Sequence, residues 1–158
     1  MSLVFVDSNV LLYSEDSANA AKQQRAVDWL DALWTRRCGR LSIQVLSEFY
    51  THATRGLQPA MPAGDARAEV RRYQRWQPWP IDHATVETAW AIESRFGFDH
   101  PDALVLAAAQ QQGCEWLLSE DLPHDLQIDG VRILNPFLVG PERLDATPRT
   151  RSKPACNA

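Results

Sequence analysis

Four acidic residues, Asp7, Glu48, Asp102 and Asp121, stand where a chain of this kind could bring carboxylates together. Asp7 abruptly ends the apolar run Leu3 to Val6, and a charge at the end of a buried strand is costly unless it meets water, donors or a cation. Asp121 follows a second apolar run, Trp116 to Ser119. Asp102 falls in the first turn of an apolar stretch opened by Pro101, and Glu48 lies mid-way along a stretch with helical spacing. Each has an ordinary explanation. Asp102 would complement the positive end of a helix dipole, Asp121 would join Glu120 in a polar turn, and Glu48 would sit on a solvated face with Gln44, His52 and Arg55. Gathered at one place, however, carboxylates repel, and such a group is stable only with protons or a cation. An all-oxygen donor set favours the hard cations Mg²⁺ or Mn²⁺. Mg²⁺ keeps several waters and takes one or two direct carboxylates plus substrate phosphate. A cation held in this way activates water and stabilises charge on a phosphodiester, so hydrolysis of a nucleic-acid backbone is the chemistry the pattern favours.

The surrounding elements decide whether the four can meet. Leu3 to Val6 suits a strand buried on both faces. Ser17 is positioned to cap a helix running to about Arg37, with Val27, Leu30, Leu33 and Trp34 on one stripe, ended by Gly39. A short strand around Leu41 precedes a helix from Ile43 to about Arg55. After the loop from Gly56 to Gly64, Asp65 could cap a helix that turns Val70 and Tyr73 inward and stops at Pro78 and Pro80. Ile81 suits a short strand. A further helix begins at Asp82 or His83 and ends at Gly97. Pro101 opens a helix apolar nearly all round from Ala103 to Ala109, which should be buried, closed by Gly113. Trp116 to Ser119 and Val131 to Leu134 read as the last strands. Strands alternating with helices imply right-handed crossovers, hence an α/β fold: a three-layer α/β/α sandwich with a mostly parallel central sheet. In such sheets ligands bind beyond the carboxyl ends of the strands, where Asp7 and Asp121 would both emerge.

The chain has 158 residues, enough for one domain, with 45% hydrophobic and 23% charged residues. The pattern divides it into one folded domain over 1–140 and a polar tail over 141–158, expected to be disordered. The formal net charge of −4 excludes nucleic-acid binding by bulk electrostatics, so any RNA contact must rest on local patches. The start, Met1 to Val6, has no basic stretch and no apolar segment long enough for export or spanning. Cys38, Cys114 and Cys156 are odd in number and lack metal-like spacing, which fits a reducing cytoplasm.

The local motifs are more specific. Val4-Phe5-Val6-Asp7-Ser8-Asn9-Val10-Leu11-Leu12-Tyr13 resembles the opening of PIN-domain nucleases, where an apolar strand runs into Asp-(Thr/Ser)-Asn. Gln44-Val45-Leu46-Ser47-Glu48-Phe49-Tyr50 resembles the second motif of that family and Asp102-Ala103-Leu104-Val105-Leu106-Ala107-Ala108-Ala109 the third. Leu118-Ser119-Glu120-Asp121-Leu122, followed by Ile128 to Phe137, resembles the fourth and the C-terminal stretch. The similarity covers about residues 2–138, and within the family the chain most resembles VapC-type toxins of type II toxin–antitoxin modules. The resemblance implies a PIN-like fold and an endoribonuclease using Mg²⁺ or Mn²⁺. It also implies an acidic quartet of catalytic metal ligands, Asp7, Glu48, Asp102 and Asp121, with Ser8, Asn9 and Ser119 as supporting polar groups. The partners it implies are an RNA substrate, a cognate antitoxin protein, and a second copy of the chain in a homodimer or higher toxin–antitoxin assembly. One departure is Phe98-Asp99-His100-Pro101 before the third acid, where Asp99 reads better as a helix cap than as an extra charge at the metal.

Arg67, Arg71 and Arg75 recur at helical spacing, with Arg72 beside them. They are candidates to hold RNA phosphates or acidic residues of an antitoxin, against the plainer reading of a solvated face. Of the tryptophans, Trp29, Trp34, Trp76 and Trp79 are candidates for partial exposure. Two other functions fit the architecture. A Rossmann-like phosphatase also places Asp after its first strand, but needs a second Asp two residues on, where this chain has Asn9. A non-catalytic PIN-like binding module should lose some of the acids, and this chain keeps all four.

Overall fold

The computed structural model describes residues 2–146. Five strands form one sheet: β1 (Val4–Val6), β2 (Gly39–Arg40), β3 (Trp116–Leu118), β4 (Gln127–Ile128) and β5 (Val131–Leu134), in the order β2-β1-β3-β5-β4. All pairings are parallel except β4 with β5. Six α-helices connect and cover them: α1 (Ser8–Ser14), α2 (Ala20–Arg36), α3 (Ile43–Arg55), α4 (Ala63–Arg72), α5 (His83–Phe96) and α6 (His100–Gln111), with 3₁₀ turns at Tyr73–Trp76 and Pro141–Asp145. The fold is the expected mostly parallel α/β sandwich. Successive strand side chains point to opposite faces, and Val4, Phe5 and Val6 are all fully buried, so β1 is covered on both sides. Helix α6 packs on β3 and β5 and pairs with α5, while α1 packs against α2 and α3, and α3 against α4. As its composition requires, α6 is buried at Ala103 and from Val105 through Ala109. No helix of the described residues is long and apolar enough to cross a membrane.

The differences from the sequence pattern have local causes. Helix α1 has no signal of its own in the sequence, because Asp7 ends β1 and caps the next helix in one step: its carboxylate accepts the Ser8 amide, leaving no turn residues between them. Asn19, rather than Ser17, caps α2, and Arg37 ends it in the left-handed region (φ 56°) before Gly39 is reached. Asp65 lies inside α4, whose N-terminal boundary is Pro62. Ile81 is outside the sheet; Trp79 makes an isolated bridge to Ser42 instead. Strand β4, two residues long, is too short to show in the sequence pattern, although Asp129-Gly130 between it and β5, both with positive φ, is a hairpin signature. Trp29 and Trp76 are buried, not partly exposed, and Trp29 Nε1 donates to the carbonyls of Pro136 and Val139.

Ordered structure also runs past Gly140. Arg36 holds Asp145 through two parallel hydrogen bonds of 2.8 and 2.9 Å, and Arg143 pairs with Asp125 at 2.8 Å, so the charges read as tail-like instead fasten the turn to the domain. The rest of the expected tail, residues 147–158, lies outside the described residues.

Candidate active site

Strand register brings the first and last acids together. Val6 pairs with Leu118 across β1 and β3, and the Asp7 amide donates to the Leu118 carbonyl at 3.0 Å, so Asp7 and Ser119 emerge side by side at the carboxyl rim. The Ser119 hydroxyl, itself fully buried, donates to Asp7 Oδ2 at 2.8 Å, and the Asp121 amide donates back to Ser119 Oγ at 3.2 Å. Asn9, two residues into α1, turns its amide to the same rim. Its Nδ2 donates to Asp121 Oδ2 at 3.1 Å and reaches Ser119 Oγ at 3.4 Å, while its Oδ1 accepts the Glu120 amide at 3.4 Å.

Helix α3 delivers the second acid. Ser42 caps it by accepting the Val45 amide, and Val45, Leu46, Phe49 and Ala53 bury its apolar face, leaving Glu48 beside the start of α1. The Ser8 hydroxyl donates to Glu48 Oε2 at 2.9 Å. Gln44, one turn earlier, donates from Nε2 to Glu48 Oε1 and to the Pro101 carbonyl, both at 3.1 Å, tying α3 to the first turn of α6. Asp102 stands in that turn. Asp99 takes the N-cap position of α6, but its side chain makes no capping hydrogen bond. Its negative charge instead acts on Asp102. The cap expected of it is therefore absent, and the acid adds to the local charge. Asp99 thus takes the less favoured of its two readings, and Gln44 is a residue whose part at this rim the sequence pattern did not reveal, its place four residues before Glu48 being the available signal.

The electrostatics follow from the crowding. Burial pushes Asp7, only 4% exposed, up to about 7, against the hydrogen bonds from Ser119 and Ser8 that favour its ionised form; the charges of Glu48 and Asp121 raise it further. Asp102 is also raised, first by burial and then by Asp121, Asp99 and Glu48. Neighbouring acids thus work against the charged forms of Asp7 and Asp102, and a cation at the rim would favour them. Among the described residues, no three His, Cys, Asp or Glu side chains form a ready-made metal cage. The all-carboxylate donor set nevertheless fits Mg²⁺ or Mn²⁺, which need only one or two direct carboxylates, the remaining positions being filled by water and substrate.

A groove of about 390 Å³ opens beside the rim, lined by Ser8, Asn9, Tyr13, His52, Glu120 and Asp121 among others. Lys22 stands at its edge, paired with Glu120, with its ammonium over the rings of Tyr13 and Phe137 at 4.6 and 5.0 Å. The arginine series does not stay together. Arg67 and Arg71 line a second groove, of about 580 Å³, between α3 and α4, with Ile43, Leu46, Tyr50 and Val70. Arg75 falls beyond the end of α4, on the 3₁₀ turn, and faces a separate pocket with Arg37 and Arg40. The change from α to 3₁₀ winding breaks the single stripe.

A family model described as PIN domain matches residues 4–124. No curated protein matches the chain. Several solved structures are similar in fold. VapC20 of Mycobacterium tuberculosis, a toxin that cleaves the sarcin–ricin loop, is 20% identical, with a TM-score of 0.56, over 72% of this chain and 86% of that one. A toxin–antitoxin complex from Klebsiella pneumoniae is 19% identical, with a TM-score of 0.58, over 85% and 98%. VapBC2 of Rickettsia felis, bound to a DNA fragment from its promoter, is 9% identical, with a TM-score of 0.56, over 83% and 96%.

Proposed function

The chain belongs to the PIN domain family, and from that premise we propose that it is a metal-dependent endoribonuclease, the toxin of a type II toxin–antitoxin pair acting in the cytoplasm. The observation that carries the reading is one connected rim: Asp7 joined to Asp121 through Ser119 and Asn9, and neighbouring Glu48 through Ser8. Asp7, Glu48, Asp102 and Asp121 would hold Mg²⁺ or Mn²⁺. When bound, the cation would stabilise charge on the scissile phosphodiester and make water a stronger nucleophile near neutral pH.

The chain's own groups do the positioning. Ser119 and the Ser8 amide hold the two oxygens of Asp7 in fixed directions, and both hydrogen bonds favour its ionised form. Ser8 and Gln44 hold the two oxygens of Glu48. The groove beside Asn9 and Asp121 admits a nucleotide strand, with the Tyr13 ring and His52 along its wall. Hydrolysis adds water across one phosphorus–oxygen bond, leaving a phosphate on one fragment and a hydroxyl on the other.

For the antitoxin, support comes from the arginine-edged groove between α3 and α4, where apolar Ile43, Leu46 and Val70 lie beside Arg67 and Arg71, and from the toxin–antitoxin complex among the similar folds. That chemistry suits an amphipathic segment with acidic flanks. A phosphatase would need an acid at position 9, and Asn9 instead uses its amide to bridge Asp121, Ser119 and the Glu120 amide.

The test is cleavage of RNA by purified protein with Mg²⁺ or Mn²⁺, its arrest by a chelator, and its loss in Asp7→Asn. Undiminished cleavage in that variant removes the assignment of Asp7. Release of inorganic phosphate through a covalent aspartyl-phosphate would establish the phosphatase instead.

A further inference from the structure

Away from the acidic rim, three arginines from three separate segments converge on one concavity. Arg37 ends α2 in the left-handed conformation, Arg40 lies on β2 at the edge of the sheet, and Arg75 stands on the 3₁₀ turn after α4. Together with Trp34 and Trp76 they line a pocket of about 270 Å³ that has no acidic residue in its wall. It shares no residue with the rim or with the groove beside it.

The site is built on an aromatic floor. Trp76 is buried and packs with Tyr73 and Trp34 at ring separations of 4.9 and 5.0 Å. Its ring lies so close over β2 that a Cβ at Gly39 would stand 2.6 Å from it, so only glycine lets the indole approach the strand. The neighbouring cations are already matched: Arg36 with Asp145, and Arg72 with Glu69, its guanidinium 4.6 Å from the Trp34 ring. Among the described residues, Arg37, Arg40 and Arg75 have no carboxylate partner, and Arg40 makes only a hydrogen bond to the Gly39 carbonyl. The three positive charges share this concavity with no carboxylate to offset them, Arg37 and Arg75 exposed and Arg40 half-buried, so the pocket attracts an anion.

We infer that this pocket is a second RNA-binding site, which holds a backbone phosphate of a single-stranded segment between Arg37, Arg40 and Arg75 while the adjoining sugar rests against the half-buried edge of Trp34. Guanidinium groups match phosphate in planar, bidentate fashion, and contacts to the backbone carry no base information, so the site grips RNA without reading its sequence. It gives an acidic protein a local means of holding a polyanion at a distance from its own repulsive carboxylates. The inference rests on the nuclease reading for its choice of polymer.

The experiment is fluorescence anisotropy with labelled oligouridine in chelator, so that cleavage plays no part. A triple variant, Arg37→Gln, Arg40→Gln and Arg75→Gln, should bind roughly tenfold more weakly at low salt, and its dependence of log Kd on log salt should become shallower by about 1 to 2. Arg25→Gln, an exposed arginine on α2, serves as control for bulk charge. Binding and salt slope equal to those of the unchanged chain overturn the inference, as does an equal loss in Arg25→Gln. An oligoglutamate peptide that depends on these arginines where oligouridine does not would identify an acidic protein segment as the occupant and overturn it as well. Cleavage by the unchanged chain with Mg²⁺ is scored separately. Its absence sinks the nuclease reading and leaves the binding result standing.

Discussion

Ser119 Oγ donates to Asp7 Oδ2 at 2.8 Å, across 112 residues of chain, and both side chains are buried. A serine buried in this way is the main donor that favours ionisation of a carboxyl group which burial alone would keep protonated. The pair is therefore the point at which the fold acts most directly on the charge of the candidate site.

Removing that donor should move the working pH. In Ser119→Ala the Asp7 carboxyl loses its strongest stabilising hydrogen bond and protonates at higher pH than in the unchanged chain. Cleavage at pH 7 should fall roughly 10–100-fold and recover in part as pH is raised. A pH–rate profile superimposable on that of the unchanged chain would show that Ser119 does not support Asp7.

Asp7 should also leave a signature in stability. Its folded-state value of about 7 lies above the ordinary 3.8, so the folded chain binds this proton more tightly than the unfolded chain. The resulting stability is fully present below about pH 4 and is lost as pH rises through about 7, up to roughly 2–4 kcal/mol without metal. Thermal melts in chelator should show that decline in the unchanged chain and a flatter profile in Asp7→Asn, since Asn keeps the cap on α1 without a titrating charge. Mg²⁺ should raise the melting temperature of the unchanged chain and have little effect on Asp7→Asn.

Gln44 makes a separate prediction, because it links Glu48 to the Pro101 carbonyl. In Gln44→Ala the side chain of Glu48 loses one of its two holders, and α3 loses its tie to the first turn of α6. Mn²⁺ affinity should fall roughly tenfold, with a small loss of stability. Titration calorimetry with Mn²⁺ measures it, and unchanged affinity would leave Gln44 a purely structural residue.

Gly39→Ala tests the sheet edge independently of the carboxylates. The added methyl group meets the buried Trp76 ring, so the ring or the strand must shift, at a cost of about 1–3 kcal/mol. Chemical denaturation should report that loss. Cleavage per folded molecule should change little, because the acidic rim lies beyond the ends of β1 and β3; a loss of cleavage without a loss of stability would contradict this separation.

Sequence by itself determined the parts of this protein whose signals are local. An apolar run stopped by Asp7, the apolar face of α3, and the all-round apolar stretch of α6 each identify an element, because burial imposes its period on neighbouring residues. The order of the acids along those elements suggested a common rim, and hydrogen bonds through Ser8, Ser119 and Asn9 link Asp7, Glu48 and Asp121 there. Tertiary structure decided what depends on contact between distant segments. The register of β1 against β3 set Ser119 beside Asp7, and Gln44 reached across to α6. The 3₁₀ turn sent Arg75 to Arg37 and Arg40, away from Arg67 and Arg71. Asp145 found Arg36 where composition alone suggested a loose tail. Polar and charged side chains choose partners by geometry, and geometry across more than a hundred residues leaves no periodic trace in the chain.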